Sequence, residues 1–365
     1  MAVIAGTTSC DDFLDREPMS SISPETYYST AAQLEANLND EYPNVLPSFG
    51  QWTYGIFGED KGTDNQIEVN ANDRYTQDRW KVPHSESDNW KFERIYRINF
   101  FLSEALPKFG EDMSGSQNTI SGSVATIKHY IGEMYFLRAY EYFKKLQLFG
   151  DFPIINQPLA DEMEALREAS KRFPRNEVAR FIISDLDKAY AYMSDVDMAT
   201  TRINKDVAML VKSRVALFEA TWLQNFKGTA FVPGGEGWPG ASLHNNYQYP
   251  SGNIDNEVKY FLEQAVEASK LVADKYKGSL TENTGVLQQS ADDPSNPYFD
   301  MFAQEDLSDV KEVLLWRQYA RGLSTHNINA AAGRGNYRIG LTRGFVQNFL
   351  MKDGTPVYAH GSYAD

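Results

Sequence analysis

Between Val124 and Tyr276 four long segments repeat their apolar residues with the period of an α-helix, and they do so in pairs. The segment from about Val124 to Phe149 carries two apolar faces. Ile127, Tyr130, Ile131, Met134 and Leu137 form one, and Phe136, Tyr140 and Phe143 the other. A helix apolar on two sides must be packed between neighbours. Gly150 ends it and Pro153 prevents resumption. Arg175 to Met193 places Val178, Phe181, Ile182, Leu186, Ala189, Tyr190 and Met193 on one side. Lys205 to Phe226 does the same with Val207, Leu210, Val211, Phe218 and Trp222. Asp255 to Tyr276 does it with Val258, Phe261, Leu262, Ala265, Val266 and Val272.

Pairing the first segment with the second and the third with the fourth predicts antiparallel helical hairpins. Ala139 and Phe143 match the A-x3-F fragment of the tetratricopeptide repeat. The expected fold class is therefore mainly α: tetratricopeptide-like hairpins stacked in a right-handed superhelix, with long loops and a few short strands. The intervals exceed the usual repeat of roughly 34 residues because loops are inserted, and such loops can carry function.

Upstream, Ser23 as N-cap, Pro24 at the first helical position and Pro43 beyond the end predict one more helix. Asp88 to Pro107 predicts another. The turn-rich, aromatic stretch from Asn44 to Asn89 is too long and too aromatic for a plain linker. Beyond Gly278 the period is lost. Residues from Glu312 through Trp316 alternate as a strand would, and a short helix and an Asp353–Gly354 turn follow.

Composition narrows the function. The formal net charge of −15 excludes a chain built to neutralise nucleic-acid phosphates. It also disfavours electrostatic docking to anionic lipid. No apolar run approaches the roughly 18 residues that span a bilayer. The five histidines, at 84, 129, 244, 326 and 360, lack zinc-binding spacing, and neither a metal nor a cofactor is expected. The first ten residues, MAVIAGTTSC, read as the end of a signal peptide: apolar, then small, then the only cysteine. In a bacterial lipoprotein that cysteine is acylated. A free thiol in an N-terminal tail is the alternative for Cys10.

Several stretches, in chain order, resemble the SusD/RagB family of Bacteroidetes outer-membrane lipoproteins. They are CDDFLDREP at 10–18, YRINFFLSEAL at 96–106, GEMYFLRAYEYFKKLQLFGDFPII at 132–155, RNEVARFIISDLDKAY at 175–190, INKDVAMLVKSRVALFEATW at 203–222 and DGTPVY at 353–358. The resemblance implies that residues 1–10 are a signal-peptide remnant ending at the lipidated Cys10. It implies too that residues 11–365 are a single domain whose C-terminal part is missing. It implies a surface protein, lipid-anchored at the outer membrane, that binds glycan, or in some members peptide. The implied partner is a SusC-like TonB-dependent transporter. Asp11 and Asp12 resemble the signal that exports such lipoproteins to the cell surface.

Binding a sugar wants aromatic platforms for its C–H face and polar side chains for its hydroxyls. Trp80 is the first candidate, because it precedes the NFFL helix much as a sugar-stacking tryptophan does in the family's founder. Tyr75, Asn72, Asp73 and Arg79 are its polar and aromatic neighbours in sequence. Trp52 and Trp238 also lie in loops, and Tyr298 and Tyr319 in later ones. Trp90, Trp222 and Trp316 read as structural, and Arg214 as a buried arginine paired to a carboxylate. Two other classes compete. A glycoside hydrolase would draw its carboxylates from Glu59, Asp60 and Asp64. A protein-only adaptor would bind peptide on the helical stack.

Overall fold

A computed structural model describes residues 27–49, 60–68, 77, 89–110, 112–194, 198–287, 290, 292–320, 325 and 339–361. Contacts divide the chain into two compact units, Met1–Leu46 with Phe92–Trp316, and Pro47–Lys91 with Arg317–Asp365.

The first unit holds the helices α1 (Ala31–Val45), α2 (Glu93–Phe109), α3 (Val124–Phe149), α4 (Met163–Ala169), α5 (Arg175–Tyr192), α6 (Lys205–Asn225), α7 (Ile254–Tyr276) and α8 (Pro297–Ala303). α3 is the centre. It packs on α1, α2 and α5, while α5 packs on α6 and α6 on α7. The mainly helical, hairpin-built architecture expected from the periodicity is the one observed. α3 buries Ile127, Ile131, Met134, Phe136, Leu137, Tyr142 and Phe143, so both of its apolar faces are covered. Ser123 caps its start, and Gly150, at φ 70°, caps its end in a backbone region glycine tolerates. Gly132 lets α3 meet the end of α5. A Cβ there would lie 2.8 Å from the Met193 nitrogen and 2.9 Å from the Ala189 oxygen.

Charged pairs cross the helix interfaces. Arg138 of α3 binds Asp185 of α5 in two-pronged fashion at 2.7 and 2.9 Å, and also donates to Asn99 Oδ1 of α2 at 2.9 Å. Arg175 of α5 binds Glu219 of α6 at 2.8 Å. Arg180 of α5 binds Glu257 of α7 at 2.7 Å. Glu133 of α3 accepts from Arg202 at 2.8 Å and from the Tyr42 hydroxyl of α1 at 2.6 Å. Arg97 of α2 reaches Glu41 of α1 at 2.5 Å. All five carboxylate side chains are fully buried.

The second unit contains β1 (Gln66–Glu68) and β2 (Ile339–Leu341), paired antiparallel with Ile67 opposite Gly340. The short helix α9 (Arg343–Gln347) follows, capped by Thr342.

Several expectations need correction. α1 starts at Ala31, not beside Pro24. Thr30 caps it, and Gln33 reaches back to the Thr30 backbone, so a reciprocal box sets the start. Pro43 lies inside the last turn of α1 rather than beyond it, and α2 runs past Pro107 to Phe109 rather than ending there. The segment from Glu312 is not a strand. It runs as irregular chain, fixed by Trp316 donating from its backbone and indole nitrogens to Thr200 at 3.1 and 2.8 Å. Arg214 is exposed, because α6 turns Ala208, Val215, Ala216, Glu219 and Leu223 inward and leaves Leu210 and Leu217 facing out. On α7, Leu262 and Val266 are exposed rather than inward.

Truncating Arg138 would leave Asp185 buried without its cation. Arg138→Ala is expected to cost about 3–5 kcal/mol in chemical denaturation, and Arg138→Met with Asp185→Leu to recover most of it. Gly132→Ala is expected to cost about 1–3 kcal/mol by forcing α3 from α5.

Candidate functional site

Cys10, Trp52, Asn72, Asp73, Tyr75, Arg79 and Trp80 lie outside the described residues, as do Glu59 of the hydrolase reading and its neighbours in sequence up to Trp52. Three of the aromatic candidates are described. Trp238 and Tyr298 belong to the first unit and Tyr319 to the second.

Trp238 sits in the Gly- and Pro-rich loop between α6 and α7, and the loop is held at many points. The indole donates to Asp151 at 2.7 Å, and its ring stacks on His244 with centroids 5.9 Å apart. Tyr249 donates to the Pro233 carbonyl at 2.7 Å, and Tyr247 and Asn176 bond to each other at 2.9 and 3.1 Å. Trp238 is only 5% exposed. It anchors the loop and is not presented to solvent as a stacking platform. Burial raises the pKa of Asp151, against the bonds from Trp238 and Arg175.

Glu257 closes the same loop. It accepts from Arg180 at 2.7 and 2.9 Å, Asn176 at 3.0 Å and the Ser251 backbone at 3.1 Å. Burial alone would raise its pKa, but the donors from Arg180, Asn176 and Ser251 together outweigh it, and the net shift is downward.

Tyr298 occupies the first turn of α8 and is 41% exposed. Its ring meets Phe302 edge-on at 5.3 Å, and Phe302 is more exposed still. The same helix borders a cleft of about 370 Å³ with Pro297 and Met301 as apolar wall. Thr281, Asp300, Gln304 and Lys311 supply polar groups. Buried Asn296 ties the segment 283–286 to the start of α8. Its side chain donates to Asn283 at 3.1 Å and Val286 at 3.0 Å, and accepts from the Thr284 nitrogen at 3.2 Å. The Tyr298 backbone donates to Glu282 at 3.1 Å. Periodicity did not mark this cleft, since α8 has only seven residues. Its one local signal is Asn296 followed by Pro297 at the helix start. Tyr298 is not among the residues that line the cleft; its exposed ring and the cleft's donors and acceptors are each of a kind that can meet a polyhydroxylated ligand.

Tyr319 is half-buried, and its hydroxyl lies 3.4 Å from the Phe49 carbonyl in the same unit. Arg317 sits 5.7 Å from its ring centroid.

A SusD-like family model, described as starch-binding and associating with the outer membrane, matches residues 12–217. The chain belongs to the SusD-like family. It is 26% identical over 235 residues to SusD-like protein P2 of Formosa agariphila, across 61% of this chain and 43% of that protein. SusD-like protein P25 of the same organism is 25% identical over 233 residues, across 59% of this chain and 41% of its own length. The chain thus spans less than half the length of these curated relatives. A SusD-like carbohydrate-binding protein from Bacteroides fragilis superposes with a TM-score of 0.55 at 15% identity, covering 93% of this chain and 57% of that one. That likeness is one of fold. No described helix of this SusD-like chain is long and apolar enough to cross a membrane.

The Glu257 carboxylate stabilises the fold above the ordinary glutamate value of 4.5, and that contribution is lost as pH falls through its depressed pKa. Glu257→Gln is expected to lower stability at pH 7 by about 1–3 kcal/mol. It should also flatten the loss below pH 4.5 that is expected of the parent chain. Denaturant titrations at several pH values measure both.

Proposed function

We propose that this chain is a cell-surface glycan-binding lipoprotein that captures oligosaccharide or polysaccharide and hands it to a SusC-like TonB-dependent transporter. The family-model match over residues 12–217 carries the reading, because that model is described as starch-binding and outer-membrane associated. Cys10 is the acylation site that holds the protein to the membrane. Each buried CH₂ of an acyl chain contributes roughly 0.8 kcal/mol, so several chains on one residue anchor stably. The protein binds and does not turn over its ligand.

Trp80 is the proposed stacking platform, with Asn72, Asp73, Tyr75 and Arg79, its neighbours in sequence, as proposed ligand contacts and Trp52 as a further candidate. Tyr298 and the cleft along α8 are a further contact for sugar. Tyr298 is suited to this by its exposure and by the hydrogen bonds that fix α8. Tyr319, within the second unit, is a separate candidate contact.

The test is affinity electrophoresis in gels holding soluble starch, laminarin, xylan or mannan, with a peptide digest as competitor. Retention by one polysaccharide is expected, and Trp80→Ala should weaken it about tenfold, the equivalent of 1.4 kcal/mol of stacking. Binding of peptides alone would move the protein to a peptide-capturing role. Fractionation of cells expressing the parent chain and Cys10→Ala tests the anchor. The parent is expected in the outer membrane and the variant in the soluble fraction.

A further inference from the structure

The outward side of α5 carries a second concave surface. Arg180, Ile183, Ser184, Asp187, Lys188 and Ala191 fall at i, i+3, i+4, i+7, i+8 and i+11, so they form one stripe about 16 Å long. Tyr260 of α7 and Met113, from the connection between α2 and α3, border the stripe and complete a groove of about 360 Å³.

Its walls are rigid. The Arg180 guanidinium lies 3.7 Å from the Tyr260 ring centroid, and Glu257 and Ser251 fix that guanidinium in turn. Tyr260 is therefore held in one orientation. Met113 stands in a left-handed backbone conformation at φ 54°, which a side chain rarely adopts without support from its surroundings. Ile183 forms a buried apolar floor.

Two of the three charged groups in the groove are closely paired, while Lys188 has only the more distant Asp185, which Arg138 already holds. Arg180 is paired with Glu257, Asp187 with Lys212 at 2.7 Å, and Lys188 lies 3.8 Å from Asp185. An anionic ligand would meet the Asp187 carboxylate. Asp187 and Lys188 are each about half exposed, so both keep hydrogen-bonding capacity toward the groove. Ser184 is exposed as well. The Tyr260 hydroxyl is protonated at neutral pH, as an ordinary tyrosine is, and burial raises its pKa further. Donors and acceptors thus alternate along a floor of Ile183, Ala191 and Met113. An amphipathic helix would need an unbroken apolar stripe, and Ser184, Asp187 and Lys188 interrupt this one.

We infer that this groove is a second saccharide-binding subsite, taking a neutral, hydroxyl-rich chain laid along α5. The inference rests on the glycan-binding reading above and adds a site separate from Trp80. A sugar hydroxyl both donates and accepts, which suits a surface of mostly paired charges, and the C–H faces suit the apolar floor.

Hydroxyl-radical footprinting read by mass spectrometry tests it, because methionine and tyrosine both report access directly. The probes are soluble starch, laminarin, xylan and mannan. Any polysaccharide that retards the parent chain in gels is expected to reduce oxidation of Met113 and Tyr260 severalfold. That protection should persist in Trp80→Ala and disappear in Ser184→Trp, which fills the groove from an exposed helix position. Circular dichroism checks that Ser184→Trp keeps its helices, and Asp187→Asn, which keeps the fold's shape, should also weaken protection. Retention with unchanged Met113 and Tyr260 oxidation overturns the groove while leaving glycan binding intact. No retention by any of the four overturns both. Protection by the peptide digest alone makes the groove a peptide site and overturns the inference.

Discussion

Five fully buried carboxylates, each met by an arginine from another helix or the connection beside it, set the register of the helical unit: Glu41, Glu133, Asp185, Glu219 and Glu257. Removing a carboxylate from water costs several kcal/mol, and only near-ideal geometry offsets that cost. An apolar interface tolerates a shift of one helical turn by repacking. A two-pronged contact such as Arg138 on Asp185 does not, because a shift of 5.4 Å breaks both hydrogen bonds and leaves two bare charges. α5 is the hub of this arrangement. Asp185 ties it to α3, Arg175 to α6 and Arg180 to α7. Apolar burial makes the stack stable, and the ion pairs decide which turn of each helix meets which.

This division explains what could be read from residues alone. The ends of α3, α5, α6 and α7 were legible to within a residue or so, because the helical period and breakers such as Gly150 are local; in the structure Ser123 and Asn204 cap the starts of α3 and α6. The hairpin pairing was legible because amphipathic faces must meet. The inward face of α6 was not. Its core side is made of alanines, Val215 and Glu219, while Leu210 and Leu217 point outward, so counting large apolar residues selects the wrong side. The buried arginines were equally hidden. Arg214 lies in an apolar run and is exposed, whereas Arg138 and Arg175 are buried by partners distant in sequence. The irregular chain from Glu312 was mistaken for a strand for the same reason. Its hydrogen bonds go to Thr200 and Asn204, far away along the chain, and no adjacent strand was needed to satisfy them.

Trp238 shows why an aromatic in a loop is a weak sign of a binding platform. The loop between α6 and α7 needs anchors to keep one conformation, and a tryptophan supplies area and a donor at two side-chain torsions' entropy cost. Asp151 and His244 use the indole fully. Tyr298 differs because the backbone around it is fixed by other residues, Asn296 and Glu282 among them, leaving its ring without an anchoring duty. The distinction between the two lies in long-range partners. Composition and local pattern, which made both residues candidates, do not carry it.

The same logic links the scaffold to the groove on α5. Arg180 holds α7 through Glu257 and at the same time covers one face of the Tyr260 ring. One side chain therefore fixes both a helix interface and the wall of a concave surface. A ligand lying against Tyr260 would find the ring already oriented, with no rotamer entropy left to lose, and preorganisation of this kind is where affinity for weakly held, hydroxyl-rich chains comes from. The inward half of α5 builds the fold, and its outward half is braced by the same contacts, because the buried Ile183 and the Arg180–Glu257 pair belong to both.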